Sequence, residues 1–234
     1  NDTYISRKRL LAEKASKIIT VSQNTKNDIT KFYGIDESKI TVIYHANSLD
    51  ISLSMPIAVP EKFLLFVGSR GRYKNFNFFI KSISPILQRD KSLKLICVGG
   101  PDFTSEEKSF LASNGIRDQV LHCLVSDSQL VYLYRNALAF VFPTLYEGFG
   151  LPMLEAFACG CPVLASDCVV LKEIGQNAAV YFNAKNSDSI YQVVYQIIEN
   201  KNLRSDLISK GIIHAKNFSW KEAACLTADV YRSI

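Results

Sequence analysis

No apolar run in this chain approaches the roughly 18 residues that a membrane-spanning helix needs. The longest, such as Leu138 to Pro143, have the length of a buried strand. The opening residues Asn1, Asp2, Thr3 and Tyr4 carry no signal-peptide pattern, so a cytoplasmic chain is expected. Cysteine is present without the spacing that gives it chemistry. Cys97, Cys123, Cys159, Cys161, Cys168 and Cys225 include no CxxC pair and no paired Cys/His set, which argues against a zinc module or a redox motif. Most sit in apolar runs and are expected to be reduced core thiols. Histidine is scarce and scattered: His122 and His214 read as packed or surface residues, while His45 lies at a strand end near a candidate hinge. A GxSxG elbow, an HExxH helix, a Walker loop and the kinase signature are all missing.

Charge is similarly unspecialised. The net +5 arises from 27 basic and 22 acidic residues, without the basic stripe interleaved with aromatics that nucleic acid would require. Basic residues are dense only near the start, at Arg7, Lys8, Arg9, Lys14 and Lys17; a solvated helix face explains them, and so does peripheral contact with anionic lipid headgroups. A chain of 234 residues with 48% hydrophobic and 21% charged residues is globular, long enough for one generous domain or for one domain and part of another.

Periodicity and breakers then divide the chain. Arg9 to Ala15 reads as a helix, Lys17 to Val21 as a strand, and a second helix starts at a Ser22 or Thr25 cap and stops at Gly34. Ile40 to Tyr44 is a strand. Residues 45–60, with Pro56 and Pro60, read as a linker, and the α-β-α-β stretch before it is too short to enclose its own core. Beyond Pro60 strands and helices alternate. The strands are Phe63 to Val67, Leu93 to Val98, Val120 to Leu124, Ala139 to Pro143 and Pro162 to Ala165. The helices are Asn77 to Leu87, Ser105 to Asn114, Asp127 to Asn136, Pro152 to Ala158, Ser187 to Asn200 and Leu203 to Ile213. An amphipathic helix capped by Ser219 and anchored by Trp220 closes the chain. This is the pattern of an α/β fold: a Rossmann-like parallel sheet with helices on both faces, whose ligands bind beyond the carboxyl ends of the strands.

Two strand-end loops hold the chemistry. In the stretch from Phe140 to Ala156 a buried strand runs into Glu147-Gly148-Phe149-Gly150-Leu151, and Pro152 follows where proline favours a helix's first turn. Gly148 and Gly150 alone also suit a tight turn, but backbone N–H groups at the helix start favour a diphosphate. Glu147 and Glu155 can both face the same crevice, and a carboxylate accepts two hydrogen bonds from vicinal hydroxyls. The other loop, Gly68-Ser69-Arg70-Gly71-Arg72-Tyr73-Lys74-Asn75, offers three cations and two glycines ahead of a helix, which complements a pyrophosphate leaving group. The strand ends at Gly99-Gly100-Pro101-Asp102 and at Val125-Ser126-Asp127 are a turn and a helix cap, and either can line a base pocket.

These residues resemble the retaining glycosyltransferases of group 1 (family 4), which have the GT-B fold. The likeness rests on Glu147-Gly-Phe-Gly-Leu-Pro-Met-Leu-Glu155-Ala with Cys159-Gly-Cys-Pro-Val-Leu-Ala-Ser166, which resembles the family's E-x7-E signature and the strand after it. Phe66 to Asn75, Val98 to Gly100, Asp127 to Tyr134, Phe218 to Trp220 and Ile19 to Ser22 support it. The resemblance implies one half of a two-domain enzyme: residues 1–55 as the end of an acceptor-binding N-terminal domain plus linker, 56–217 as the nucleotide-sugar domain, and 218–234 as a helix crossing back. It implies that Glu147 contacts the transferred sugar and Glu155 the ribose, and that backbone around Phe149, Gly150 and Leu151 holds sugar and phosphate. Lys74 and an arginine, with Arg70 preferred over Arg72, would neutralise the departing diphosphate without a metal or other cofactor. Gly68, Ser69, Gly99, Val125 and Gly148 complete the expected donor site; Ser69 stands where the family commonly has arginine. The implied reaction moves a hexose, mannose by analogy, from a guanosine- or uridine-diphosphate donor to a saccharide or lipid-linked acceptor with retention. A donor-binding subunit working with a separate partner chain and an epimerase or phosphorylase of the same fold are the alternatives.

Overall fold

A computed structural model describes residues 2–234; the side chains of residues 2–4 and of Arg72 lie outside the described set. The first elements are helix α1 (Asp2–Lys14), strand β1 (Ile18–Thr20), helix α2 (Gln23–Tyr33) and strand β2 (Ile40–Val42). Ser22 caps α2 by accepting from the Thr25 N–H, and Gly34 ends it in the left-handed region at φ 70°, a conformation that costs glycine little. β1 and β2 pair in parallel as a separate two-stranded sheet, and α2 buries none of its residues.

The main sheet is built from β3 (Lys62–Val67), β4 (Leu93–Val98), β5 (Val120–Cys123), β6 (Ala139–Phe142), β7 (Val163–Ser166) and β8 (Val180–Phe182). It runs β5-β4-β3-β6-β7-β8, with every neighbouring pair parallel. Connecting and following helices are α3 (Phe76–Arg89), α4 (Ser105–Ser113), α5 (Asp127–Asn136), α6 (Leu151–Ala158), α7 (Val169–Gly175), α8 (Ser187–Glu199), α9 (Lys201–Ala215) and α10 (Trp220–Arg232). Alternation along each strand divides the core between the sheet's two faces. Phe63, Leu65, Phe140, Phe142, Val163 and Ala165 pack with α5 and α6, while Leu64, Phe66, Leu95, Cys97, Val141 and Leu164 pack with α3 and α8. Each phenylalanine, leucine and valine among these contributes about 1.5–3 kcal/mol when fully buried.

Pro85 lies inside α3 and cannot donate to the Lys81 carbonyl four residues back; the Ser84 hydroxyl donates to that carbonyl at 2.9 Å. α7 and β8 occupy residues 169–182, to which the sequence pattern assigns no element. Both are too short to show a period: α7 starts without a side-chain cap and ends at Gln176, whose φ is 44°.

The strand order fixes where a ligand fits. From β3 the chain proceeds outward through β4 and β5, then returns to lay β6 on the other side of β3. The switch point therefore lies between β3 and β6, and ligands of such sheets bind beyond the carboxyl ends of the strands there. Those are the strands that deliver the Gly68–Asn75 and Glu147–Gly150 loops.

Candidate active site

The loop after β3 turns at Gly68, where φ is 122°, and the Gly68 N–H donates to the Val98 carbonyl at 2.8 Å. Its next segment, Arg72–Lys74, is a single 3-10 turn closed by the Lys74 N–H donating to the Gly71 carbonyl at 2.9 Å. The Tyr73 carbonyl accepts from the Leu145 N–H at 2.7 Å and from the Thr144 hydroxyl at 3.1 Å. Thr144 is buried. These bonds stitch the loops that follow β3 and β6 together and bring their charges into register.

Lys74 Nζ donates to Glu147 Oε1 at 2.5 Å, with the two side chains 12% and 14% exposed. The ammonium also lies 5.1 Å from the centre of the Phe142 ring and 5.2 Å from that of Tyr73. Aromatic walls and low exposure reduce screening, so this cation and carboxylate act on each other more strongly than a surface pair.

Beyond Glu147 the chain is tightly constrained. Gly150 has φ 100°, and a Cβ there would meet Leu171 Cδ2 at 2.8 Å, so both conformation and space require glycine. It occupies the cap position of α6 without a capping side chain, and Pro152 follows in the first turn. The Phe149 side chain turns inward against Tyr44, His45 and Phe218, at centroid distances of 6.2, 5.2 and 6.3 Å. Phe149 can therefore offer a ligand its backbone but not its ring. Leu151 packs against the core and Gly148 accepts hydrogen bonds from α2 through its carbonyl.

Glu155 sits one turn into α6, half-buried, and accepts from the Tyr134 hydroxyl at 3.2 Å. Burial pushes its carboxyl above the ordinary range, and the charge of Asp127 adds to this; the Tyr134 bond opposes both. Among the described residues no hydrogen bond joins Glu155 to the Lys74–Glu147 pair.

Arg70 stands apart from the Lys74–Glu147 pair. Its side chain is 4% exposed and faces α4, where Nε donates to Glu107 Oε1 at 2.8 Å. Nη2 donates to the Pro101 carbonyl and Nη1 to the Gly99 carbonyl, and the guanidinium lies 4.5 Å from the centre of the Phe103 ring. Burial pushes Glu107 up, but its bonds from Arg70 and Thr104 outweigh this and hold its carboxyl below the ordinary range. Arg70 is thus a brace between the loops after β3 and β4, with its charge already balanced. The Arg72 side chain, the other arginine considered, lies outside the described residues.

The remaining positions are distributed around the same strand ends. Gly99 and Gly100 have φ 86° and 70°, and a Cβ on Gly100 would meet Ser69 Cα at 3.3 Å, so the loops after β3 and β4 pack backbone to backbone. The Gly99 carbonyl is near His122 Nε2 at 3.2 Å, and His122 Nδ1 is 3.4 Å from Asp102. Val125 is partly buried against the core just before the Ser126 cap of α5. Two residues bear on the site that sequence reasoning did not single out. Glu173, on the unassigned α7, accepts from the Gln23 and Asn24 N–H groups, and Asp28 accepts from the Tyr146 hydroxyl. Their partners are more than a hundred residues away, so no local pattern exposes them.

Over 191 residues the chain is 32% identical to the O-antigen chain mannosyltransferase RfbU of Salmonella typhimurium, covering 81% of this chain and 53% of that protein. It is 28% identical over 233 residues to O-antigen chain mannosyltransferase B of Escherichia coli, covering 94% and 61%. The chain thus spans a little over half the length of these curated relatives. The fold superimposes on the solved structure of Anabaena HepE in complex with UDP and glucose with a TM-score of 0.80 at 18% identity, covering 94% of this chain and 64% of that one. The model of the family described as glycosyl transferases group 1 matches residues 52–214, and the chain belongs to that family.

Proposed function

We propose that this chain is the donor-binding part of a retaining hexosyltransferase that takes mannose from a nucleotide-diphosphate sugar and passes it to a saccharide or lipid-linked acceptor. The observation that carries the reading is the Lys74–Glu147 pair at the switch point between β3 and β6. A diphosphate entering the crevice competes with Glu147 for the Lys74 ammonium. The cation then faces the charge that grows on the leaving group as the glycosidic bond breaks, where fixed positive charge accelerates reaction most. Released from the lysine, Glu147 accepts hydrogen bonds from hydroxyls of the transferred hexose. Backbone around Phe149, Gly150 and Leu151 at the start of α6 holds the sugar and phosphates, and Glu155 meets the ribose. No metal is needed in this scheme, because Lys74 supplies the positive charge.

The two O-antigen relatives support a mannosyl donor, and the UDP-bound neighbour supports a uridine-diphosphate one. Residues 1–55 close the acceptor-side domain and its linker, residues 56–217 bind the donor, and residues 218–234 cross back. No helix among the described residues is long and apolar enough to cross a membrane. Peripheral attachment at the inner membrane face fits α1, where Arg7, Arg9 and Lys14 accompany the exposed Ile5, Leu10 and Leu11.

Titration calorimetry of the full-length protein with GDP, UDP, GDP-mannose and UDP-glucose tests this reading. Binding of at least one donor is expected, weakened in Lys74→Ala and in Glu155→Ala. Undiminished affinity in both variants rejects the site.

A further inference from the structure

The residues on either side of Glu147 are both held by one helix outside the main sheet. Tyr146 donates its hydroxyl to Asp28 Oδ2 at 3.0 Å, and the Gly148 carbonyl accepts from Ser22 Oγ at 2.8 Å and from Thr25 Oγ1 at 3.5 Å. Ser22, Thr25 and Asp28 follow one another at three-residue spacing, which keeps them on one side of the first turns of α2. Ser22 is buried and serves twice, since it also accepts from the Thr25 N–H to cap the helix. That start of α2 is itself clamped from the main domain. Glu173 Oε1 accepts from the Gln23 N–H at 2.6 Å and Oε2 from the Asn24 N–H at 3.1 Å. A carboxylate there satisfies two donors that a helix start leaves without intrahelical partners, and it meets the positive end of the helix dipole.

We propose that Glu173 is a positioning residue for Glu147, acting through α2. It fixes the first turn of that helix, and the turn fixes the loop on both sides of the sugar-facing carboxylate. The inference rests on the reading of Glu147 given above. The Lys74 backbone is held differently, by the bonds of its own turn and by the Tyr73 carbonyl's two donors, none of which involves α2. Loosening the clamp therefore displaces Glu147 while leaving the diphosphate both its cation and the start of α6, so alignment of the hexose suffers and donor affinity does not.

The test uses the full-length protein with Glu173→Gln, Glu173→Ala and Ser22→Ala, read by transfer kinetics and by hydrogen exchange of the 145–149 amides. In each variant kcat is expected to fall about tenfold with the donor KM within about twofold, because alignment rather than binding is lost. Exchange at 145–149 is expected to quicken. Ser22→Ala leaves Glu173 in place and tests the step from α2 to the loop, while Glu173→Gln, which keeps the side chain's size and one acceptor, tests the clamp itself if Glu173→Ala folds poorly. Unchanged exchange in Glu173→Gln or in Ser22→Ala, or a raised KM at constant kcat, overturns the proposal. If the parent protein turns over no nucleotide sugar, the proposed function fails, whereas the exchange comparison still decides whether the clamp governs the loop.

Discussion

The hydroxyl of Tyr134 donates to Glu155 Oε2 at 3.2 Å beneath the first turns of α6, joining a fully buried phenol to a carboxylate whose burial favours its neutral form. This relationship carries a pH dependence of stability with a definite sign. The folded-state pKa of Glu155 is raised above its ordinary 4.5, so its contribution to stability is fully present below that value and is lost as pH rises through the folded one. Glu155→Gln keeps an acceptor for Tyr134 and removes the ionisation. The melting temperature of the variant relative to the parent is expected to rise as pH climbs above the ordinary 4.5 and through the folded-state pKa. Thermal melts across that range check it, and a constant difference rejects the buried-carboxylate account.

Lys74→Ala should have two separable effects. Removing the ammonium leaves Glu147 without its partner at low exposure, which costs roughly 1–2 kcal/mol after allowance for the solvent that still reaches it. Donor affinity should fall about tenfold or more, the worth of one charge-assisted hydrogen bond to phosphate. Calorimetry with UDP and GDP measures the second effect and denaturant melts the first; unaltered affinity for both nucleotides refutes the assignment of Lys74.

Much of this architecture is legible in the residues. Leu93–Val98 and Asp127–Asn136 stand where the pattern sets them, because a short continuous apolar run and a Ser126 cap are local signals. Ser22 and Gly34 bound α2 for the same reason. Lys74 and Glu147 are legible as loop residues, yet their meeting depends on strand order, which no local pattern contains. Arg70 shows the limit most clearly. Its partner Glu107 lies 37 residues on, in a helix whose capping box already explains that glutamate, so the sequence offers no reason to withdraw the arginine from a phosphate.

Arg70 is expected to matter for stability. Arg70→Met leaves Glu107 with an unbalanced charge in a largely buried setting and removes two carbonyl partners in the loop after β4, a loss of roughly 2–3 kcal/mol. Adding Glu107→Gln to that variant should recover part of the loss, since the stranded charge is then gone. Denaturant melts of the two single variants and the double variant form the cycle; strict additivity would show that the pair does not interact as the geometry indicates.

Gly150→Ala tests the approach of the Glu147 loop to α6. Alanine at φ 100° is strained by itself, and its Cβ would lie 2.8 Å from Leu171 Cδ2 and 3.5 Å from the Phe142 ring, which also forms a wall behind Lys74. Relief requires Leu171 to change rotamer or the loop to move outward; either route costs about 1–3 kcal/mol. An outward shift would carry the backbone of residues 149–151 away from a bound phosphate. Destabilisation accompanied by weaker nucleotide binding is therefore expected from melts and calorimetry. Pairing the substitution with Leu171→Ala separates the causes: the smaller neighbour removes the clash but leaves the backbone strain. Recovery of binding in the double variant assigns the loss to displacement by Leu171, and continued loss assigns it to the left-handed turn that glycine alone adopts without strain.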